Sequence, residues 1–255
     1  HKEHIIRNAR LFGNGAHIFV PKEWAGEQIV LIRPPKKSPK DKILSLLSPY
    51  LHLLVGEYMY GSYAREEQTE DSDIDLFLIA DKKLNIKLKG FDVLCLNKKD
   101  VKKAIGFKPL LFYSILSEAK PIINSQLLEE LRAQYKPKPT DFKEFIKDCR
   151  RMIKINRDFI EYEKTEYVKS EAVIYSLVLR LRGIFIIKSL LKGNKYTHKA
   201  FKRWIQDNTG INFSPIYVAY KNSKNEKKIT QKIELNSIKR LFEFITKEVL
   251  IIDDA

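Results

Sequence analysis

The sequence predicts an α+β protein: a small mixed β-sheet with flanking helices in mid-chain, an N-terminal β-hairpin segment before it and a C-terminal α-helical bundle after it. Three observations predict this. Short apolar runs punctuated by glycine and proline dominate up to about residue 97. Beyond residue 140 the apolar positions recur at helical spacing. Two stretches rich in proline and lysine, RPPKKSPKDK (33–42) and KPKPT (136–140), separate the three patterns. The expected domains are 1–35, 40–136 and 140–255.

In the first segment, Ile5 and Ile6, then Ala16–Val20, then Ile29–Ile32 read as short strands, interrupted by Gly13-Asn14-Gly15, Pro21 and Gly26. A piece of this size is too small to be stable alone. The linker at 33–42 carries three prolines and five basic residues.

In the middle segment, Ile43, Leu46, Leu47, Tyr50, Leu51 and Leu54 keep helical spacing, with Ser48-Pro49 dividing the run. Strands are expected at Val55–Tyr60, Ile74–Ala80 and Phe91–Leu96, with a loop at Gly61–Ser72. Helices are expected at Lys98–Ile105, Pro109–Glu118 and Gln126–Tyr135, and one more short strand at Lys120–Asn124.

The third segment predicts four helices. The first carries Phe142, Phe145, Ile146, Met152, Ile153, Ile155 and Phe159, and the second spans Ala172–Leu191 and stops at Lys192-Gly193. The third is capped by Thr197 and runs through Gln206, and the last is Leu235–Ile251. KNSKNEKK (221–228) reads as an exposed loop. Helices of this length make a bundle.

With 44% hydrophobic and 31% charged residues among 255, the chain fits neither a disordered polyelectrolyte nor a membrane bundle. No apolar run approaches the roughly 20 residues that span a bilayer. Two cysteines, Cys95 and Cys149, and a start (HKEHIIRNAR) without an apolar leader core suggest a reduced, cytoplasmic setting with no membrane partner.

The net charge of +15 suggests a polyanionic partner. It is unevenly placed: the balance is +4 over 1–60, −3 over 61–97 and +14 over 98–255. An acidic island inside a basic chain is either a solvated loop or a place where carboxylates hold a cation.

That island contains GEYMYGSYAREEQTEDSDIDLFLI (56–79). Asp73 and Asp75, two apart at the start of an apolar strand, leave the same face with α-carbons about 6.5–7 Å apart. Such a pair can converge on divalent cations. Gly61-Ser62 follows a strand and precedes a helical turn, where backbone N–H groups and a hydroxyl can hold phosphate oxygens. Asp92, flanked by apolar residues on the next strand, supplies a third carboxylate. Together these could build a two-metal phosphoryl-transfer site. Arg65 either touches phosphate or pairs with Glu66, Glu67 or Glu70.

At this point the chain resembles the DNA polymerase β-type nucleotidyltransferase superfamily, especially its minimal prokaryotic members. The match lies in Gly61-Ser62 followed by Asp73-Ile74-Asp75-Leu76, with Ala64-Arg65 and Ser72 also fitting, and covers about 43–135. The resemblance implies that Asp73 and Asp75 ligate two Mg²⁺ ions, with Mn²⁺ as a substitute, holding the triphosphate of a nucleotide, most often ATP. It implies that Asp92 binds the second ion and orients or deprotonates an acceptor hydroxyl for in-line attack on the α-phosphorus, with pyrophosphate leaving.

Residues 9–32 resemble the swapped-hairpin modules of AbrB- and MazE-type regulators and antitoxins, through Gly13-Asn14-Gly15, His17–Val20 and Pro21-Lys22. Gly15 stands where those modules usually have serine. The likeness implies either DNA contact through Arg7, Arg10 and Lys22 or, as the shortness of the segment and Gly15 favour, a structural or homodimerising appendage. The helical segment is similar to HEPN-like domains through residues 175–201. It lacks their Arg-(four to six residues)-His motif, and Arg10 with His17 has the spacing only on a hairpin, so no ribonuclease is expected. Arg180 and Arg182 either face the cleft or sit on the helix surface.

The expected activity is Mg²⁺-dependent transfer of a nucleoside monophosphate from a nucleoside triphosphate to a hydroxyl of RNA or protein, in a toxin–antitoxin setting. The competing reading is a DNA-binding regulator or antitoxin whose nucleotidyltransferase domain senses nucleotide or is inactive.

Overall fold

The computed structural model describes residues 5, 7, 9–31, 38–70, 72–163, 165–168, 170–228 and 230–253. The chain divides into two compact units, 1–42 and 43–255.

In the first unit, β1 (Arg10–Phe12) and β2 (Gly15–His17) form an antiparallel hairpin with Arg10 opposite His17. The turn works because Gly13 adopts φ +55°. Two sequence expectations change here. The second strand ends at His17 rather than Val20, and Pro21 leads into a 3₁₀ turn at Lys22–Trp24. Residues 29–31 pair with no strand among the described residues and are exposed; strand propensity alone does not satisfy backbone N–H and C=O groups. Ile6, Ile32 and linker positions 33–37 lie outside the described residues.

α1 (Pro39–Leu47) starts at Ser38, whose N–H and hydroxyl donate to the Asp41 carboxylate while the Asp41 N–H donates back to the Ser38 hydroxyl. This reciprocal pairing satisfies N–H groups that a helix start otherwise leaves open. It buries Ile43 and Leu47 before Pro49 converts the chain to a 3₁₀ stretch, Ser48–Leu53. There follow β3 (Leu54–Tyr60), the five-residue α2 (Gly61–Arg65), β4 (Ile74–Ala80) and β5 (Phe91–Asn97). Then come α3 (Val101–Phe107), α4 (Pro109–Glu118), β6 (Lys120–Ile123) and α5 (Ser125–Gln134). The sheet order is β5-β4-β3-β6, with β4 and β5 parallel and the other pairs antiparallel, so the expected mixed sheet is present.

Alternation along β4 sorts its side chains between two cores. Ile74, Leu76 and Leu78 pack with Ile43, Leu47 and Ile86 on one face. Phe77 and Ile79 join Tyr58, α3–α5 and the C-terminal helices in a larger cluster on the other. Each such side chain, fully buried, contributes about 1.5–3 kcal/mol.

The C-terminal region holds α6 (Lys143–Glu161), α7 (Glu171–Leu191), α8 (His198–Thr209), α9 (Ser214–Lys224) and α10 (Leu235–Asp253). Among the described residues five helices stand where four are expected. α9 begins with Pro215 in its first turn and buries Ile216, Tyr217, Ala219 and Tyr220, so Lys221–Lys224, expected in a loop, continue a helix. Thr197 caps α8 as expected, its hydroxyl accepting from the Ala200 N–H at 3.1 Å. α7 is the central helix, tied to α6 by Arg180–Asp148 (2.8 Å) and Ser176–Asn156 (2.7 Å), and to α10 by Lys188–Glu248. No helix among the described residues is long and apolar enough to cross a membrane.

Candidate active site

One row across the sheet organises the site. Tyr60 on β3, Asp75 on β4 and Asp92 on β5 are register partners. Partners in register point to the same face, so the two carboxylates stand side by side, on the face that also carries Tyr58 and Phe77. Asp73 lies just before β4, exposed, two residues from Asp75.

The Asp75 carboxyl is pushed up to about 6, by burial first and then by the like charge of Asp92, with Arg65 and Lys224 acting the other way. The Tyr60 phenol is raised by burial and by Asp75, Asp92 and Glu118, so it stays protonated beside the acids. A pair of carboxylates under this strain is the arrangement a cation relieves.

Gly61 is dictated by two features. Its φ is +70°, and a Cβ there would overlap the Asp75 carboxylate. The turn is held from below. The Gly61 N–H donates to Glu118 Oε1 at 2.8 Å, and Glu118 Oε2 accepts from Arg65 at 2.6 Å. The Gly61 N–H is thus committed to a protein carboxylate, and Ser62, half-buried in the first turn of α2, carries the neighbouring N–H and hydroxyl.

Arg65 is no surface residue: its side chain is 9% exposed and also donates to Glu67 Oε2 at 2.9 Å. Glu67 in turn accepts from the His198 N–H at 2.7 Å, joining the loop after the Gly-Ser turn to the start of α8. Burial, and the cations Arg65, Arg182 and Lys221 acting against Glu67, push the His198 imidazole down to about 4, so it is neutral at pH 7. Arg182 donates to the Tyr196 hydroxyl at 3.1 Å, and the Arg65 and Arg182 guanidinium groups lie 5.3 and 5.0 Å from the Tyr196 ring centre. Arg180 bonds Asp148 and Ser176 instead.

Glu118 was not legible as a site residue. Its only signal is that an acid closes an otherwise apolar helix, PLLFYSILSE. Lys224 was hidden by its placement in an expected loop.

Among the described residues no three His, Cys, Asp or Glu side chains enclose a metal position. The donor set nevertheless fits Mg²⁺, which prefers oxygen ligands and is commonly held by one or two carboxylates, waters and substrate phosphates rather than by an all-protein cage. Asp75 and Asp92 offer such a pair, with Asp73 adjacent in the chain.

Residues 42–127 match the family described as Polymerase beta, Nucleotidyltransferase. No curated protein shows a significant match to the chain. Among solved structures, a toxin–antitoxin complex crystallised with AMP-PNP aligns over 37% of this chain and 80% of its own, at 23% identity and a TM-score of 0.29. Spectinomycin adenyltransferase AAD(9) from Enterococcus faecialis, crystallised with ATP and spectinomycin, aligns over 82% of this chain and 97% of its own, at 14% identity and a TM-score of 0.43. The similarity to the polymerase β nucleotidyltransferase family thus lies in residues 42–127, the segment that carries the Gly61-Ser62 turn, Asp73, Asp75 and Asp92.

Proposed function

We propose that the protein transfers a nucleoside monophosphate from a nucleoside triphosphate, with ATP as the first choice, to a hydroxyl of RNA or protein, releasing pyrophosphate. The observation that carries this reading is the in-register pair Asp75 and Asp92 beside the Gly61-Ser62 turn. Asp73, Asp75 and Asp92 would hold Mg²⁺. When bound, the metal offsets charge growing on the phosphoryl oxygens and neutralises the crowded carboxylates.

The chain's own residues have separate tasks. Ser62 donates to phosphate, while Glu118 and Arg65 keep the turn in place. Asp92, more exposed than Asp75, accepts a hydrogen bond from the acceptor hydroxyl and takes its proton as the hydroxyl oxygen attacks the α-phosphorus. The bond from the α-phosphorus to the bridging oxygen breaks, and pyrophosphate departs with that electron pair. The AbrB/MazE-like hairpin segment supports a regulatory, toxin–antitoxin setting.

The test is label transfer from α-³²P nucleoside triphosphates with Mg²⁺ to total RNA and total protein, beside an Asp73→Asn/Asp75→Asn variant. Transfer that is lost in the variant and on chelation of the metal is expected. No transfer to either fraction would sink the reading.

A further inference from the structure

The α8–α9 face of the bundle carries cations that the proposed chemistry leaves unused. Lys202 on α8 lies 4.5 Å from the centre of the Tyr217 ring on α9, and the His198 ring, one turn before Lys202, lies 5.8 Å from that same ring. Tyr217, Lys221 and Lys224 follow at spacings of four and three, which is one face of α9. The His198 ring that lies against Tyr217 belongs to a residue anchored to the loop after the Gly-Ser turn, its N–H donating to Glu67 at 2.7 Å. Lys202, Lys221 and Lys224 therefore flank or continue the face of α9 that Tyr217 presents to His198, beside the loop after the Gly-Ser turn. Among the described residues none of these three lysines forms an ion pair, and Lys221 and Lys224 are exposed.

From Tyr217 to Lys224 this track runs roughly 10 Å along α9. A triphosphate held at Asp75 and Asp92 would leave cations along this face without an anion. A chain of phosphodiesters would meet all of them, and spaced point charges on a helix face suit a backbone rather than a base.

We infer that Lys202, Lys221 and Lys224 form a track for the backbone of a single-stranded polynucleotide, delivering its terminal hydroxyl to Asp92. This rests on the nucleotidyltransferase reading and names its acceptor.

Binding is measured by fluorescence anisotropy of short single-stranded RNA and DNA, without nucleoside triphosphate, on the full chain and on the Asp73→Asn/Asp75→Asn variant, so it is independent of transfer. Lys202→Ala/Lys221→Ala/Lys224→Ala should weaken binding about tenfold or more. It should also make the slope of log affinity against log salt shallower by about 2, at about 0.7 per phosphate neutralised. The matching triple Lys→Arg variant should restore binding, and circular dichroism should show both variants folded. Lys239→Ala/Lys247→Ala, on α10, should bind as wild type does.

Unchanged oligonucleotide binding in the triple alanine variant overturns the inference, as does loss of tripolyphosphate binding with oligonucleotide binding kept, which would assign the lysines to the nucleotide. Label reaching protein and no oligonucleotide overturns it while the nucleotidyltransferase reading stands. Lysine-dependent oligonucleotide binding with no transfer to any acceptor supports the track and overturns that reading instead.

Discussion

The N–H of Gly61 donates to a carboxylate oxygen of Glu118, 57 residues away in sequence, at 2.8 Å. The other oxygen of the same carboxylate holds Arg65. A glycine turn next to Asp75 is thereby fixed by a buried ion pair at the end of α4. Removing one member of such a pair strands the other, at about 3–5 kcal/mol. Glu118→Ala is expected to cost about 3 kcal/mol in thermal unfolding, the lower figure because Glu67 still pairs with Arg65, and to abolish label transfer. Glu118→Gln keeps an acceptor for Gly61 and should retain more of both. Equal losses in the two variants would remove the role assigned to the Gly61 bond.

Gly61→Ala separates activity from stability. The positive φ costs about 1–2 kcal/mol for an alanine, and the new methyl group displaces the Asp75 carboxylate. Circular dichroism should report a folded protein with a modestly lowered melting temperature, while transfer falls below detection. Normal transfer by this variant would mean that the Asp75 position is not critical.

Glu57 gives a pH signature. It sits opposite Leu78 and Ile123 in the middle of β3, wholly buried, and neither carboxyl oxygen has a hydrogen-bond partner among the described residues. Desolvation pushes its carboxyl from 4.5 up to about 7. Because the folded value is raised, the stability it contributes is full below about 4.5, is lost as pH rises between the two values, and changes no further above about 7. That interval corresponds to about 3 kcal/mol. Melting temperature should fall from pH 5 to pH 8 more steeply in the wild type than in Glu57→Gln. Asp75, also raised by burial, is common to both proteins and cancels in the comparison. Parallel curves would refute the assignment.

Gly183 on α7 has no room for a side chain, since a Cβ there would overlap the Phe145 ring of α6. Alanine improves helix propensity by about 1 kcal/mol, but overpacking costs about 1–3 kcal/mol. Gly183→Ala should therefore destabilise, and Phe145→Leu/Gly183→Ala should recover part of the loss. Denaturant unfolding of the two single variants and the double would show a coupling well outside error if the contact is as tight as described.

Much of the fold could be read locally. β3, β4, β5 and β6 coincide closely with the runs Val55–Tyr60, Ile74–Ala80, Phe91–Leu96 and Lys120–Asn124, because apolar runs bounded by breakers of strand length have few alternatives. α9 could not, because Pro215 and the lysines at 221 and 224 mimic a loop until Ile216, Tyr217 and Tyr220 find a core to fill. The strand expected at 29–31 failed for the converse reason: its residues favour a strand, yet among the described residues none pairs with it.

The sequence by itself determined that a Gly-Ser turn and an Asp-x-Asp strand lie about ten residues apart, and that an acidic stretch interrupts a basic chain. These are properties of neighbouring residues, set by strand alternation and turn geometry. Only the tertiary structure decided that Asp92 stands abreast of Asp75 and that Glu118, from the far end of α4, joins Glu67 in neutralising Arg65 deep in the protein. Charge compensation depends on which distant elements exclude water together, and that is a consequence of packing, which no local spacing encodes.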